Sequence, residues 1–203
     1  MTEEQSPKLG LRLLYTVFFV SGMCALLYQL AWQRLLFLTY GTNSEATTAI
    51  VAVFMLGLGL GSLVGGEVSK RFPTKLLVLF AMAEAGIGLF GLISVPLLVA
   101  VGNATAGIDA FSAGAVCFAI LVLPTMLMGA TLPLLVADVV ARHHDVGDAV
   151  GDLYHVNTLG SALVCILASF FIFRWFGLSG AVYIAAAGNL GVASTIFISG
   201  RQK

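Results

Sequence analysis

A chain of 203 residues that is 59% hydrophobic and only 10% charged, with a mean hydropathy of +1.01, holds more apolar surface than one soluble domain of that size can bury. Ten Lys plus Arg stand against ten Asp plus Glu, so net charge points to no nucleic acid and no acidic partner. The composition is that of a membrane protein, in which only the local placement of charge is informative.

The chain opens with MTEEQSPKLGLRLLY, acidic then basic. The apolar run behind it is too long for the core of a signal peptide and has no small-residue cleavage site, so the first helix is expected to stay in the mature protein. A bilayer core asks for about 20 apolar residues per helix, and the sequence divides into about six such runs. They cover 13–38, 46–64, 76–101, 110–140, 149–173 and 178–199. The breaks fall at 41–44, 70–73, 102–103, 142–148 and 175–177. This predicts an all-α polytopic membrane protein, a single transmembrane domain over 1–203 with six helices in one bundle. Seven spans are the alternative, because the fourth run holds Pro124 and Pro133 and is long enough to kink or to leave the hydrocarbon.

Lys8 and Arg12 precede the first span, Lys70, Arg71 and Lys75 lie between the second and third, Arg142 follows the fourth, and Arg201 and Lys203 close the chain. The other loops hold Glu45 and Asp109, with Arg34 and Arg174 near span ends. The positive-inside rule then places both termini in the cytoplasm. Cys24, Cys117 and Cys165 sit in apolar runs without metal or redox spacing and read as small packing residues.

In span one, Tyr28, Gln29, Trp32 and Gln33 share one side of a helix. They suit either an aromatic wall for an organic cation or an interfacial anchor. Arg34 has a candidate ion-pair partner in Glu45. Span two carries GLGLGSLVGG, whose glycines resemble a phosphate cradle. Such a cradle needs its glycines between a strand and a helix, whereas Gly57, Gly61 and Gly65 recur every four residues inside a span. Their N–H groups are used within the helix, so helix packing is expected and not a cofactor; Gly86, Ser94, Gly188, Gly191 and Ser194 mark comparable contacts.

Glu84 is the clearest ionisable residue inside a span, about 12 Å from the cytoplasmic end of span three at the helical rise. It is either a site for a cation or a proton, or a carboxyl bonded to a neighbouring helix. In span four the two prolines flank Thr125, Gly129 and Thr131 and release carbonyls one turn earlier, as in broken helices that line transport sites. Tyr154, Asn157, Thr158 and Ser161 form a polar strip on span five, and Asn189 is a single polar group on span six. His144, Asp148, Asp152 and His155 fall at roughly helical intervals, but a solvated loop leading into a helix N-terminus accounts for them without a metal.

Three segments, SGMCALLYQLAWQRLL, PTMLMGATLPLL and VGDLYHVNTLGSAL, resemble in order the membrane domain found beside or fused to bacterial spermidine-synthase-like enzymes. That family in turn looks like half of a major facilitator transporter. The loop GGEVSKRFPTK is similar to the transporters' conserved cytoplasmic loop at Gly66, Arg71 and Lys75, with Lys70 where that pattern has its acid. The resemblance implies a bacterial inner-membrane location. No segment reads as the soluble domain that holds an aminopropyl donor, so the chain is expected not to be an enzyme.

The function expected is therefore a half-size carrier for a small solute, an organic cation such as a polyamine, acting as a homodimer. The substrate-binding candidates are Glu84, Tyr28, Gln29, Trp32, Thr125, Thr131, Tyr154 and Asn157. No cofactor or metal is expected. The alternative is a non-transporting membrane subunit or anchor for a separate spermidine-synthase-like enzyme.

Overall fold

The computed structural model describes residues 10–40, 44–143 and 145–201. Lys8, Lys203, Gly41 to Asn43, His144 and the side chain of Glu45 lie outside the described residues, and with them the expected Arg34–Glu45 pair. All regular structure among the described residues is helical: α1 (Leu11–Tyr40), α2 (Ser44–Arg71), α3 (Leu76–Ala104), α4 (Ala110–His143), α5 (Val146–Leu167) and α6 (Phe173–Arg201). A π-helical turn over Ala168–Ile172 joins the last two without a loop.

Five helices are long and apolar enough to cross a membrane, the fifth being the continuous 55-residue run Val146–Gly200. The loop expected at 175–177 is absent from that run. The chain turns instead at Gly177, where φ is 65° and ψ is −170°, a backbone region open in practice only to glycine. Other boundaries also move. α3 continues through Gly102 and Asn103, and α4 passes through both Pro124 and Pro133 as one helix, so the seven-span alternative falls. The Thr125 hydroxyl bonds back to the carbonyls of Leu121 and Val122, each at 2.9 Å, and so satisfies itself within α4 beside Pro124.

Side chains from all six helices meet in two apolar layers stacked along the bundle. One holds Tyr28, Trp32, Phe54, Leu98, Leu121 and Ala185. The other holds Leu14, Phe18, Phe80, Leu135, Leu153 and Ile196. In α1, α3 and α5 the chain enters the second layer first; in α4 and α6 it enters the first layer first. Contacts agree with these directions. Phe18 meets Phe80 edge-on at 6.4 Å and Trp32 reaches Ser94, so α1 and α3 run in the same sense. Cys24 faces Gly188 and Arg34 stacks at 3.8 Å over Phe173, so α6 runs against α1.

The glycine run of α2 lies on α4. A Cβ on Gly65 would stand 2.8 Å from the Cα of Ala130, and side chains on Gly57 and Gly61 would strike Thr125 and the Met126 carbonyl. Missing side chains thus let the two backbones approach, in the small-xxx-small manner, and the glycines sit within a helix that begins at Ser44, not at a strand-to-helix turn. Gly86 and Gly188 serve similar contacts, whereas nothing lies near Gly191, and Ser194 is exposed.

Candidate functional site

Between the two apolar layers lies a band of polar side chains, one or two from most helices. Ser21 of α1 follows Phe18 and precedes Cys24, Glu84 of α3 stands between Ala81 and Ile87, and Asn189 of α6 between Ala186 and Val192. Thr131 of α4 and Asn157 of α5 occupy the same interval in their own helices. A buried polar group needs a partner to offset its desolvation, and the band is closed largely upon itself.

Its centre is Glu84, fully buried. The Ser21 hydroxyl donates to one carboxyl oxygen at 2.5 Å and the Asn189 amide to the other at 2.5 Å, tying α1, α3 and α6 together. On the α5 side, the Asn157 amide donates to the Phe18 carbonyl at 3.3 Å and the Ser161 hydroxyl to the Gly22 carbonyl at 3.0 Å. Gly22 and Gly160 bring those two helices close enough for these bonds: a Cβ on either would strike the partner backbone.

A cleft of about 300 Å³ opens from this band between α1, α2, α4 and α5. Its polar wall is Ser21, Gln29, Ser62, Thr131, Tyr154, Asn157 and Ser161, and its apolar wall includes Phe18, Phe54, Leu58 and Met128. Of the residues expected to bind substrate, Gln29, Thr131, Tyr154 and Asn157 therefore share one cavity. Glu84 stands directly behind its wall, with Ser21 between.

Tyr28, Trp32 and Thr125 lie elsewhere. Tyr28 and Trp32 are fully buried, stacked on each other at 4.9 Å, with Phe54 and Phe90 against the indole at 5.9 and 5.7 Å. The Trp32 indole donates to Ser94 at 3.0 Å. They form the centre of an apolar layer and not an edge-of-membrane belt. Thr125 is fully buried under the α2–α4 contact. Among the described residues, no three His, Cys, Asp or Glu side chains gather as metal ligands. Asp145 caps α5 by accepting from the Asp148 backbone at 3.0 Å, and Asp152 accepts from Tyr15 at 3.0 Å.

Two groups were not singled out from the sequence. Ser21 is one; the signal was its place eight residues before Gln29, which puts both on one helix face. The other is the Asp138–Arg142 ion pair, 2.6 Å apart with each side chain 14% exposed, at the spacing helical pairs favour.

Comparison with known proteins gives two relatives. The chain is 28% identical over 193 residues to Polyamine aminopropyltransferase 1 of Streptomyces coelicolor, a match taking in 94% of this chain and 35% of that protein. It is 29% identical over 183 residues to Polyamine aminopropyltransferase 2 of the same organism, covering 87% of this chain and 32% of that protein. The chain thus spans about a third of the length of the curated relatives it matches. No family model and no solved structure matches it. These relatives overturn the expectation that the chain is not an enzyme: both matched proteins bear enzyme names, over most of this chain. The spermidine-synthase side of the sequence resemblance is consistent with them.

Proposed function

We propose that this chain works as the membrane-embedded part of a polyamine aminopropyltransferase, and that its cleft receives the amine. The observation that carries this is the match to a protein named for that activity, running through 94% of the chain. A mid-bundle polar band with an adjoining cavity supports it, since polar groups at this depth are costly unless they line a pathway or a site. In this reading the chain crosses the bilayer six times, reversing at Gly177, with Arg12, Lys70, Arg71, Lys75 and Arg142 on the cytoplasmic side. The alternating order in which successive helices meet the two apolar layers supports that count.

The test is product formation. Membranes carrying the chain, with and without the cytosolic fraction of the same cells, are given putrescine and decarboxylated S-adenosylmethionine, and spermidine is read by mass spectrometry. Spermidine that appears only when the chain is present supports the reading. Equal product in membranes lacking the chain overturns it.

A second reading is passage of the amine through a pair of such bundles, on the pattern of a half-size major facilitator carrier working as a homodimer. It is favoured by the cleft's lining, which comes from four helices of a single bundle, α1, α2, α4 and α5. Uptake of labelled putrescine into proteoliposomes tests it; no uptake above empty liposomes removes it.

A further inference from the structure

The helical run from Val146 through the π-helical turn to Phe176 is roughly 46 Å long at the helical rise, against a hydrocarbon core of about 30 Å, so in a bilayer its far end stands among the headgroups. That end has two faces. Ile172, Phe173 and Leu178 pack on the apolar layer around Trp32. Phe170, Phe171, Trp175 and Phe176 are turned away from the protein, with Trp175 73% exposed.

Two cations share this end of the bundle. Arg34 follows Trp32 out of the first layer, Arg174 precedes Ala181 into it, and both side chains are exposed. The Arg34 guanidinium lies 3.8 Å over the Phe173 ring, next in sequence to Arg174. Such a stack holds the guanidinium by its face and does not use its in-plane N–H donors. Lys70, Arg71 and Arg142 stand at the opposite end, and the positive-inside rule disfavours cations on the side where Arg34 and Arg174 lie. Residues 39–49 and 102–110, on that side, include no Lys or Arg. Asp109, the acid whose described side chain lies there, accepts from the Ser112 backbone at 3.0 Å.

We propose that this end of the bundle binds anionic phospholipid in the leaflet away from the cytoplasm, with Arg34 and Arg174 on the phosphate and Trp175 and its neighbouring phenylalanines against the upper acyl chains. A phosphate presents acceptor oxygens and negative charge to the donor fork of a guanidinium, a pairing stronger than a neutral hydrogen bond. Tryptophan favours the same level of the bilayer, its ring in the apolar zone and its N–H toward water. A soluble phosphate would answer the arginines alone. A lipid answers both the charge and the aromatic face in one molecule. The inference needs only that the chain crosses the bilayer, and stands apart from the transfer chemistry proposed above.

The two tryptophans of the chain suit one experiment, since Trp32 is fully buried and Trp175 is exposed. The full chain is reconstituted in vesicles of phosphatidylcholine and phosphatidylglycerol, with one or the other brominated near the glycerol end of its acyl chains. Bromine quenches a tryptophan that it touches, so Trp175 reports the lipid beside it, and Trp175→Phe supplies the Trp32 background. Quenching against lipid fraction gives the relative affinity of the two headgroups. A basic residue near an anionic surface contributes about fivefold, so two should make phosphatidylglycerol preferred by about tenfold or more. Arg34→Gln and Arg174→Gln should each lower the preference several-fold, and the double variant should bring it close to parity. Arg71→Gln, at the opposite end, should leave it unchanged.

Equal affinity for the two lipids overturns the proposal. So does a preference that survives the double variant, or one that falls as far in Arg71→Gln. Loss of the preference on adding soluble glycerol phosphate places the anion's site in water and overturns it as well. Both arginines are exposed, and unchanged Trp32 emission from the double variant in the Trp175→Phe background shows that its core is intact.

Discussion

The Trp32 indole on α1 donates its only proton to the Ser94 hydroxyl on α3 at 3.0 Å, and Ser94 in turn donates to the Gly91 carbonyl at 2.9 Å. Both side chains are fully buried. Ser94→Ala would leave an indole N–H in an apolar layer without a partner, a loss of about 1–3 kcal/mol. The chain has two tryptophans, so a Trp175→Phe background makes Trp32 the sole reporter. Denaturant titration in micelles, followed by Trp32 emission in that background, should show the destabilisation. A change below about 0.5 kcal/mol, the range of ordinary surface substitutions, would mean the bond is not structural.

The α2–α4 contact separates glycines that look alike in sequence. Gly61→Ala and Gly65→Ala each drive a methyl into the backbone of α4, which cannot give way as a flexible side chain would. Overpacking of this kind costs about 1–3 kcal/mol. Gly59, two residues from Gly61, has nothing within 4 Å of a Cβ. Gly59→Ala should therefore hold or raise thermal stability, since alanine favours the helix by about 1 kcal/mol. Melting curves of the three variants in one detergent decide it, and equal losses at all three positions would contradict the packing.

The glycine ladder was legible in the sequence because its four-residue period has one meaning inside a span. Glu84 was legible because a carboxyl in an apolar run stands out, and the strip from Tyr154 to Ser161 because polar residues recur at helical spacing. The pairing of α1 with α3 was not. A helix between lipid and protein is apolar on both faces, so periodicity fades and neither its facing nor its register can be read. Ser21–Glu84 and Trp32–Ser94 depend on that register, which explains why Ser21 was not singled out and why Trp32 suited either an aromatic wall or an interfacial anchor. Gly177 was placed at a break correctly in position but not in kind: a single residue with positive φ turns the chain where a loop was expected.

The Glu84–Asn189 bond decides between interhelical glue and a retained functional group. Asn189→Leu removes one of the two donors that reach the Glu84 carboxyl and leaves a fully buried oxygen without its partner. Hydrogen bonds to charged groups contribute about 1.5–3 kcal/mol, and stability should fall by that order. Glu84→Leu should cost about as much, because it strands the Asn189 amide in turn. The double variant replaces both partners by apolar groups of similar size, and such paired replacement is often neutral or stabilising. A double-mutant cycle should therefore be strongly non-additive, with the double variant about as stable as the parent, since Ser21 can turn its freed proton to a carbonyl of its own helix. The product assay then separates the roles. If the double variant is stable and supports spermidine formation as the parent does, Glu84 is glue. If it is stable and has lost product formation, the carboxyl is kept for function, because the fold does not require it.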